Sequence, residues 1–308
     1  MKKRGILKAS AIILALYLSF SAMAGVFVAE DALHPTKRLL TSSDENQSRL
    51  QASQDNATLS DVSINASDGA VLRAWLLRPA EGNGDFLIFL HGMGDNRLGM
   101  TGYADLALRH GYSALMPDAR AHGASGGALA TYGLLEAQDI HSWAHYLLTT
   151  QHPRCIYAFG ESMGAAQLLQ TLQVEPNFCA AAAECPFSTF REIAYDRMGQ
   201  AFHTGPWLGR TLLRPLVESA FLYAKWKYGL DLRLVSPEDA VAATKVPVLL
   251  IHGRNDTNIP IHHSRRIATR NPNVVLWEVP HAEHSSAIAA ATQEFERRLI
   301  SWFESHSR

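Results

Sequence analysis

The chain has 308 residues, enough to bury a large core within one α/β domain. Its 28 lysines and arginines offset 29 aspartates and glutamates, and no basic block stands beyond the N-terminus, so a nucleic-acid partner is excluded. Apolar residues make up 47% of it with no collagen-like, coiled-coil or low-complexity period, which describes a globular protein carrying a special N-terminus.

That N-terminus joins Lys2, Lys3, Arg4 and Lys8 to an uncharged apolar run from Ala9 to Ala29, about the length of helix that crosses a bilayer core. Residues 1–30 are therefore expected to be a signal peptide or a membrane anchor. Ala22-Met23-Ala24 resembles a signal-peptidase site, while Val26-Phe27-Val28 continues the apolar run past it. Under either reading the basic flank stays cytoplasmic and the body is exported, anchored to the membrane or secreted. Residues 31–60 are polar with little periodicity and read as a linker.

Residues 61–308 read as the main domain. Two strands, at 61–66 and 70–77, flank Ser67-Asp68-Gly69 and predict an antiparallel hairpin. From Asp85 onward strands and helices alternate, which predicts a mainly parallel sheet covered on both faces. Strands are expected at 86–90, 112–117, 154–159, 178–184, 246–251 and 274–279, with helices at 103–110, 132–149, 165–172, 264–270 and 288–305. The alternation breaks at about 186–244, which predicts a helical cap. Its aromatic residues Trp207, Phe221, Tyr223, Trp226 and Tyr228 could pack against their own domain, bind a nonpolar substrate or meet lipid. Cys155 and Cys179 open adjacent predicted parallel strands, so they either form a disulfide or, with Cys185, remain buried thiols.

Gly160-Glu161-Ser162-Met163-Gly164 stands where a predicted strand turns into a helix. Small neighbours let the two elements approach while the hydroxyl is pushed outward, the arrangement of a G-x-S-x-G nucleophile elbow. Serine needs a base to take its proton and an acid to orient that base. Asp256 and His284 each follow a predicted strand, and the order Ser162, Asp256, His284 is that of an elbow-type hydrolase. His281, three residues before His284, competes for the base, and Glu184 is a reserve acid. His141 and His145 lie one helical turn apart without a third ligand and read as an exposed face; His262-His263 reads as solvated.

The chain resembles the α/β-hydrolase family from about residue 61 to 306. The matching segments are His91-Gly92-Met93-Gly94, the D-x-R-x-H-G-x-S-G-G turn at 118–127, the elbow, His252-Gly253-Arg254-Asn255-Asp256, and His284-Ser285-Ser286-Ala287. The resemblance implies an eight-stranded, mainly parallel sheet with a cap insertion. It further implies Ser162 as nucleophile, Asp256 as acid, His284 as base, and the amides of Met93 and Met163 as oxyanion hole. No cofactor and no metal is called for, and the partner is a small acyl substrate. The expected reaction is ester cleavage through an acyl-enzyme; peptide or thioester cleavage and acyl transfer use the same machinery. A membrane-tethered binding protein that kept the fold is the noncatalytic alternative. Oligomeric state is not written in the sequence.

Overall fold

A computed structural model describes residues 2–307. It opens with α1 (Lys2–Leu33), which is long and apolar enough to cross a membrane. Part of the stretch read as a linker is regular: α2 (Ser42–Gln54) follows a capping box in which Thr41 Oγ1 accepts from the Asp44 amide at 3.2 Å and the Asp44 carboxylate accepts from the Thr41 amide at 2.9 Å. A single buried residue, Ala52, ties α2 to the core, so hydrophobic periodicity gives little sign of it.

The expected hairpin is β1 (Ala57–Asn65) and β2 (Val71–Pro79), antiparallel with Ser60 opposite Leu76. There follow β3 (Phe86–Leu90), α3 (Thr101–Arg109), β4 (Ser113–Pro117), α4 (Glu136–Thr150), β5 (Ile156–Glu161), α5 (Met163–Thr171) and β6 (Ala180–Glu184). Next come α6 (Phe190–Ala201), α7 (Trp207–Arg210) and α8 (Arg214–Tyr228), in the segment read as a cap. The chain ends with α9 (Pro237–Ala242), β7 (Val248–Gly253), α10 (His262–Ala268), β8 (Val274–Val279), α11 (Ala287–Ala290) and α12 (Thr292–Glu304).

The strands form one eight-stranded sheet in the order β1-β2-β4-β3-β5-β6-β7-β8, parallel from β4 to β8. β3, β4, β6 and β7 are buried throughout, as continuous apolar runs covered on both faces must be. One face packs Trp75, Phe89, Tyr157, Phe159, Phe295 and Phe303, and the other packs Ile88, Trp143, Leu147 and Leu168. The chain runs from β3 to β4 on one side, then returns to place β5 on the other. Open parallel sheets bind ligands at such a reversal, outside the carboxyl ends of the strands.

Two compact units result. The stretch up to His34 joins Phe190–Leu234 in one; Pro35–Thr189 joins the stretch from Val235 onward in the other, which holds the whole sheet. Cys155 and Cys179, at the opening ends of β5 and β6, are bridged with Cα atoms 5.8 Å apart, while Cys185 is a buried thiol.

Candidate active site

Ser162 stands between β5 and α5 with φ 53° and ψ −111°, a region that non-glycine residues seldom occupy. Close packing on both sides imposes it. A Cβ at Gly160 would lie 2.5 Å from the Gly164 carbonyl oxygen, and one at Gly164 would lie 2.3 Å from that of Leu90. The Ser162 amide donates to the Glu184 carbonyl at 2.8 Å, tying the turn to the end of β6.

Asp256 sits on the loop after β7 with its side chain fully buried. Its Oδ1 accepts from the amides of Asn258 and Ile259, both at 2.8 Å. His252 Nε2 lies 3.4 Å from Oδ2 and donates to the Ile259 carbonyl at 2.8 Å, while its Nδ1 accepts from the Ser264 hydroxyl at 2.7 Å. Burial alone would raise the Asp256 carboxyl; hydrogen bonds from His252, His284 and the loop amides outweigh it and hold the group well below the usual carboxylate range.

His284 lies on the loop after β8, which reaches the end of β7 because Gly253 has no side chain: a Cβ there would stand 2.4 Å from the Ala282 carbonyl oxygen. His284 Nδ1 donates to Asp256 Oδ2 at 2.7 Å, and Nε2 accepts from Ser162 Oγ at 2.9 Å. The structure thus brings Ser162, His284 and Asp256 into one hydrogen-bonded row. His281 is exposed and, among the described residues, makes no hydrogen bond to this row.

Met163 is the first residue of α5, so its amide is one that a helix's first turn leaves without an intrahelical acceptor. Met93 lies on the loop after β3, whose preceding Gly92 would place a Cβ 3.6 Å from Ser162 Cβ. Buried His91 fixes that loop: Nδ1 donates to the Gly92 carbonyl at 2.8 Å and Nε2 accepts from the Ala119 amide at 3.0 Å. Burial pushes its pKa down to about 4, consistent with this neutral tautomer.

Glu161 and Glu184 are register partners at the ends of β5 and β6. The Tyr103 hydroxyl reaches Glu184 Oε2 at 3.1 Å and Glu161 Oε2 at 3.3 Å, and Glu184 Oε1 accepts from the Ala287 amide at 3.0 Å, three residues past His284. Glu184, the reserve acid, therefore braces the loop carrying His284 instead of facing its ring. Burial first, with the neighbouring Glu161 charge, lifts Glu184 to about 7, and burial also raises Glu161. Tyr103 escaped sequence reasoning, since nothing in α3 marks it beyond helical spacing.

Elsewhere, His141 Nδ1 is paired with Glu175 at 2.9 Å, which accounts for one member of the helix-spaced pair. Reading His262-His263 as solvated fails at His263, which is fully buried with Nδ1 accepting from the Ser188 amide at 3.1 Å. Helix α10 packs on the sheet there, and a two-residue sequence cannot tell its inward member. Cys185, His252 and Asp256 bring ligand-type atoms within 4.8 Å, but both His252 nitrogens are engaged by Ser264 and Ile259, and burial holds the Cys185 thiol protonated, a poor fit to a cation.

Residues 87–298 match the model of the alpha/beta hydrolase family. The chain is 31% identical over 204 residues to the uncharacterized protein YqkD of Bacillus subtilis (strain 168), a match covering 65% of this chain and 64% of that one. Among solved structures, the Pyrococcus furiosus esterase Pf2001 aligns with a TM-score of 0.69 at 24% identity, over 90% of this chain and 98% of its own. The esterase RhEst1 from Rhodococcus sp. ECU1013 aligns at 0.58 and 16%, over 80% and 100%. At these identities the structural likeness is one of fold. The family match spans the elbow and the loops bearing Asp256 and His284, and on that match the chain belongs to the alpha/beta hydrolase family.

Proposed function

We propose that the chain is a serine hydrolase that cleaves a carboxylic ester or related acyl bond of a small substrate through a covalent acyl-enzyme. The observation that carries this reading is the row Ser162 Oγ, His284 Nε2 and Nδ1, Asp256 Oδ2, with contacts of 2.9 and 2.7 Å. Asp256 accepts the hydrogen bond from Nδ1–H and so fixes the ring in the tautomer whose Nε2 is free to accept the serine proton as Oγ attacks the acyl carbon. The amides of Met93 and Met163 would receive the charge that develops on the carbonyl oxygen; removing one such donor costs about 10²–10³ in rate in comparable sites. His284 then returns its proton to the leaving group, and water activated by the same ring releases the acyl group. Two fold relatives named esterases support an ester over other acyl bonds.

We place the sheet-bearing unit outside the cytoplasm, with α1 as its anchor. The Cys155–Cys179 bridge supports this placement, since structural disulfides persist in oxidising compartments. So does the basic N-terminal flank, which favours the cytoplasmic side. A fluorophosphonate probe should label wild type and spare Ser162→Ala; equal labelling of both would refute the nucleophile assignment. His284→Ala should abolish turnover of p-nitrophenyl esters while His281→Ala keeps it.

A further inference from the structure

In the unit formed by α1 and α6 to α8, α8 lies along the second half of α1 and runs in the same direction. Tyr17 donates to the Leu212 carbonyl, the Ser219 hydroxyl lies 2.9 Å from the Ser21 carbonyl, and Glu30 accepts from the Tyr223 and Tyr228 hydroxyls and Lys227 at 2.6–2.9 Å. The contact is close at Gly25, where a Cβ would stand 2.2 Å from Ser219 Oγ and 2.7 Å from the Leu216 carbonyl oxygen. Ser21, Gly25 and Ala29 recur every four residues along this buried stripe, the small-residue spacing with which helices approach closely in lipid, and buried Leu33 continues the line. Cleavage after Ala24 would remove half of the interface and leave a charged terminus against α8.

The uncovered part of α1 runs over residues 6–16, all exposed. At 1.5 Å per residue that is about 16 Å, roughly half of a bilayer core of about 30 Å. A crossing helix must therefore draw its remaining length from the part beside α8. This rests on the reading of α1 as a membrane anchor.

We propose that α1 is retained and that α8 is seated beside it in the outer leaflet, so that a phospholipid bilayer is the partner of this helix pair. Leu222 and Trp226 make an exposed apolar ridge one turn apart next to the α1 contact, and Trp226 is 83% exposed. Tyr223, Trp226, Lys227 and Tyr228 cluster where Glu30 ends the uncharged stretch of α1, the level at which aromatic and lysine side chains meet headgroups. Arg210 and Arg214 stand near the deep end and oppose the seat. Arg210 is paired with Glu192, and long arginine side chains reach water by snorkelling and local thinning of the leaflet.

The test uses the full chain in phosphatidylcholine–phosphatidylglycerol vesicles, with single cysteines at Leu222→Cys, Leu212→Cys and, on the exposed face of β8, Val275→Cys. Each variant must still take the fluorophosphonate probe, which reports folding. A membrane-impermeant maleimide should react with the Leu222 and Leu212 variants at under about a tenth of the Val275 rate, because a thiol in hydrocarbon neither ionises nor meets the reagent. After unfolding in SDS the three should react alike. Equal rates in vesicles would overturn the proposal while leaving α1 as an anchor, provided the protein resists carbonate extraction; extraction by carbonate would overturn the anchor as well. Protection that fades as protein is diluted in lipid would assign the ridge to a second copy, and a mature N-terminus at Gly25 would also refute the proposal.

Discussion

On the proposed mechanism, Asp256→Asn separates orientation of the base from mere packing, and the size of its effect follows from the donors around the carboxylate. Oδ1 faces two amide N–H groups at 2.8 Å, so the asparagine carbonyl must occupy that side. The NH₂ group then faces His284 Nδ1 where Oδ2 stood at 2.7 Å, and two donors cannot meet. His284 must turn to the tautomer protonated at Nε2, the nitrogen 2.9 Å from Ser162 Oγ, and it can no longer take the serine proton. A wrong tautomer in such a triad lowers kcat by about 10⁴, or about 5 kcal/mol of barrier. The assay is turnover of p-nitrophenyl acetate, with circular dichroism to verify folding. A folded Asp256→Asn variant within tenfold of wild type would refute the role given to Asp256.

Glu184 gives a pH test. Its carboxyl rises from 4.5 to about 7 on folding, so between these values the folded protein holds a proton that the unfolded chain has released. Stability from this group is full below about pH 4.5 and is lost as pH rises through about 7, by at most about 3 kcal/mol. Glu184→Gln keeps a neutral side chain, so the wild-type melting temperature should fall relative to the variant across that window; parallel curves would refute it. Replacing Cys155 and Cys179 together by alanine frees a loop spanning 24 residues in sequence and should cost about 3 kcal/mol in urea unfolding. Turnover should survive, because the bridge sits at the opposite ends of β5 and β6 from Ser162; an unchanged unfolding midpoint would show that the bridge contributes nothing.

What could be read from the sequence is what local patterns carry. Apolar runs alternating with helical spacing marked the strands and helices, and the glycines around Ser162 announced a turn whose cause is the close passage of Gly164 by Leu90. The pairing of α1 with α8 could not be read, because residues 9–29 are apolar on every side and leave no face to distinguish. Helix α2 hid for the opposite reason, with one buried alanine and otherwise polar residues.

The choice of acid shows where sequence order alone stops. Glu184 ends β6 and Asp256 follows β7, both at the carboxyl edge of the sheet, and by sequence order either could face a histidine. A partner that orients His284 must stay ionised at working pH. Asp256 does so because two amides donate to it besides His284, with His252 Nε2 3.4 Å from Oδ2. Full burial, with the Glu161 charge beside it, lifts Glu184 to about 7 against the Ala287 amide and a tyrosine hydroxyl shared with Glu161, which pull it down. That burial favours its neutral form, which suits it to bracing the loop after His284 and not to holding a charge beside its ring.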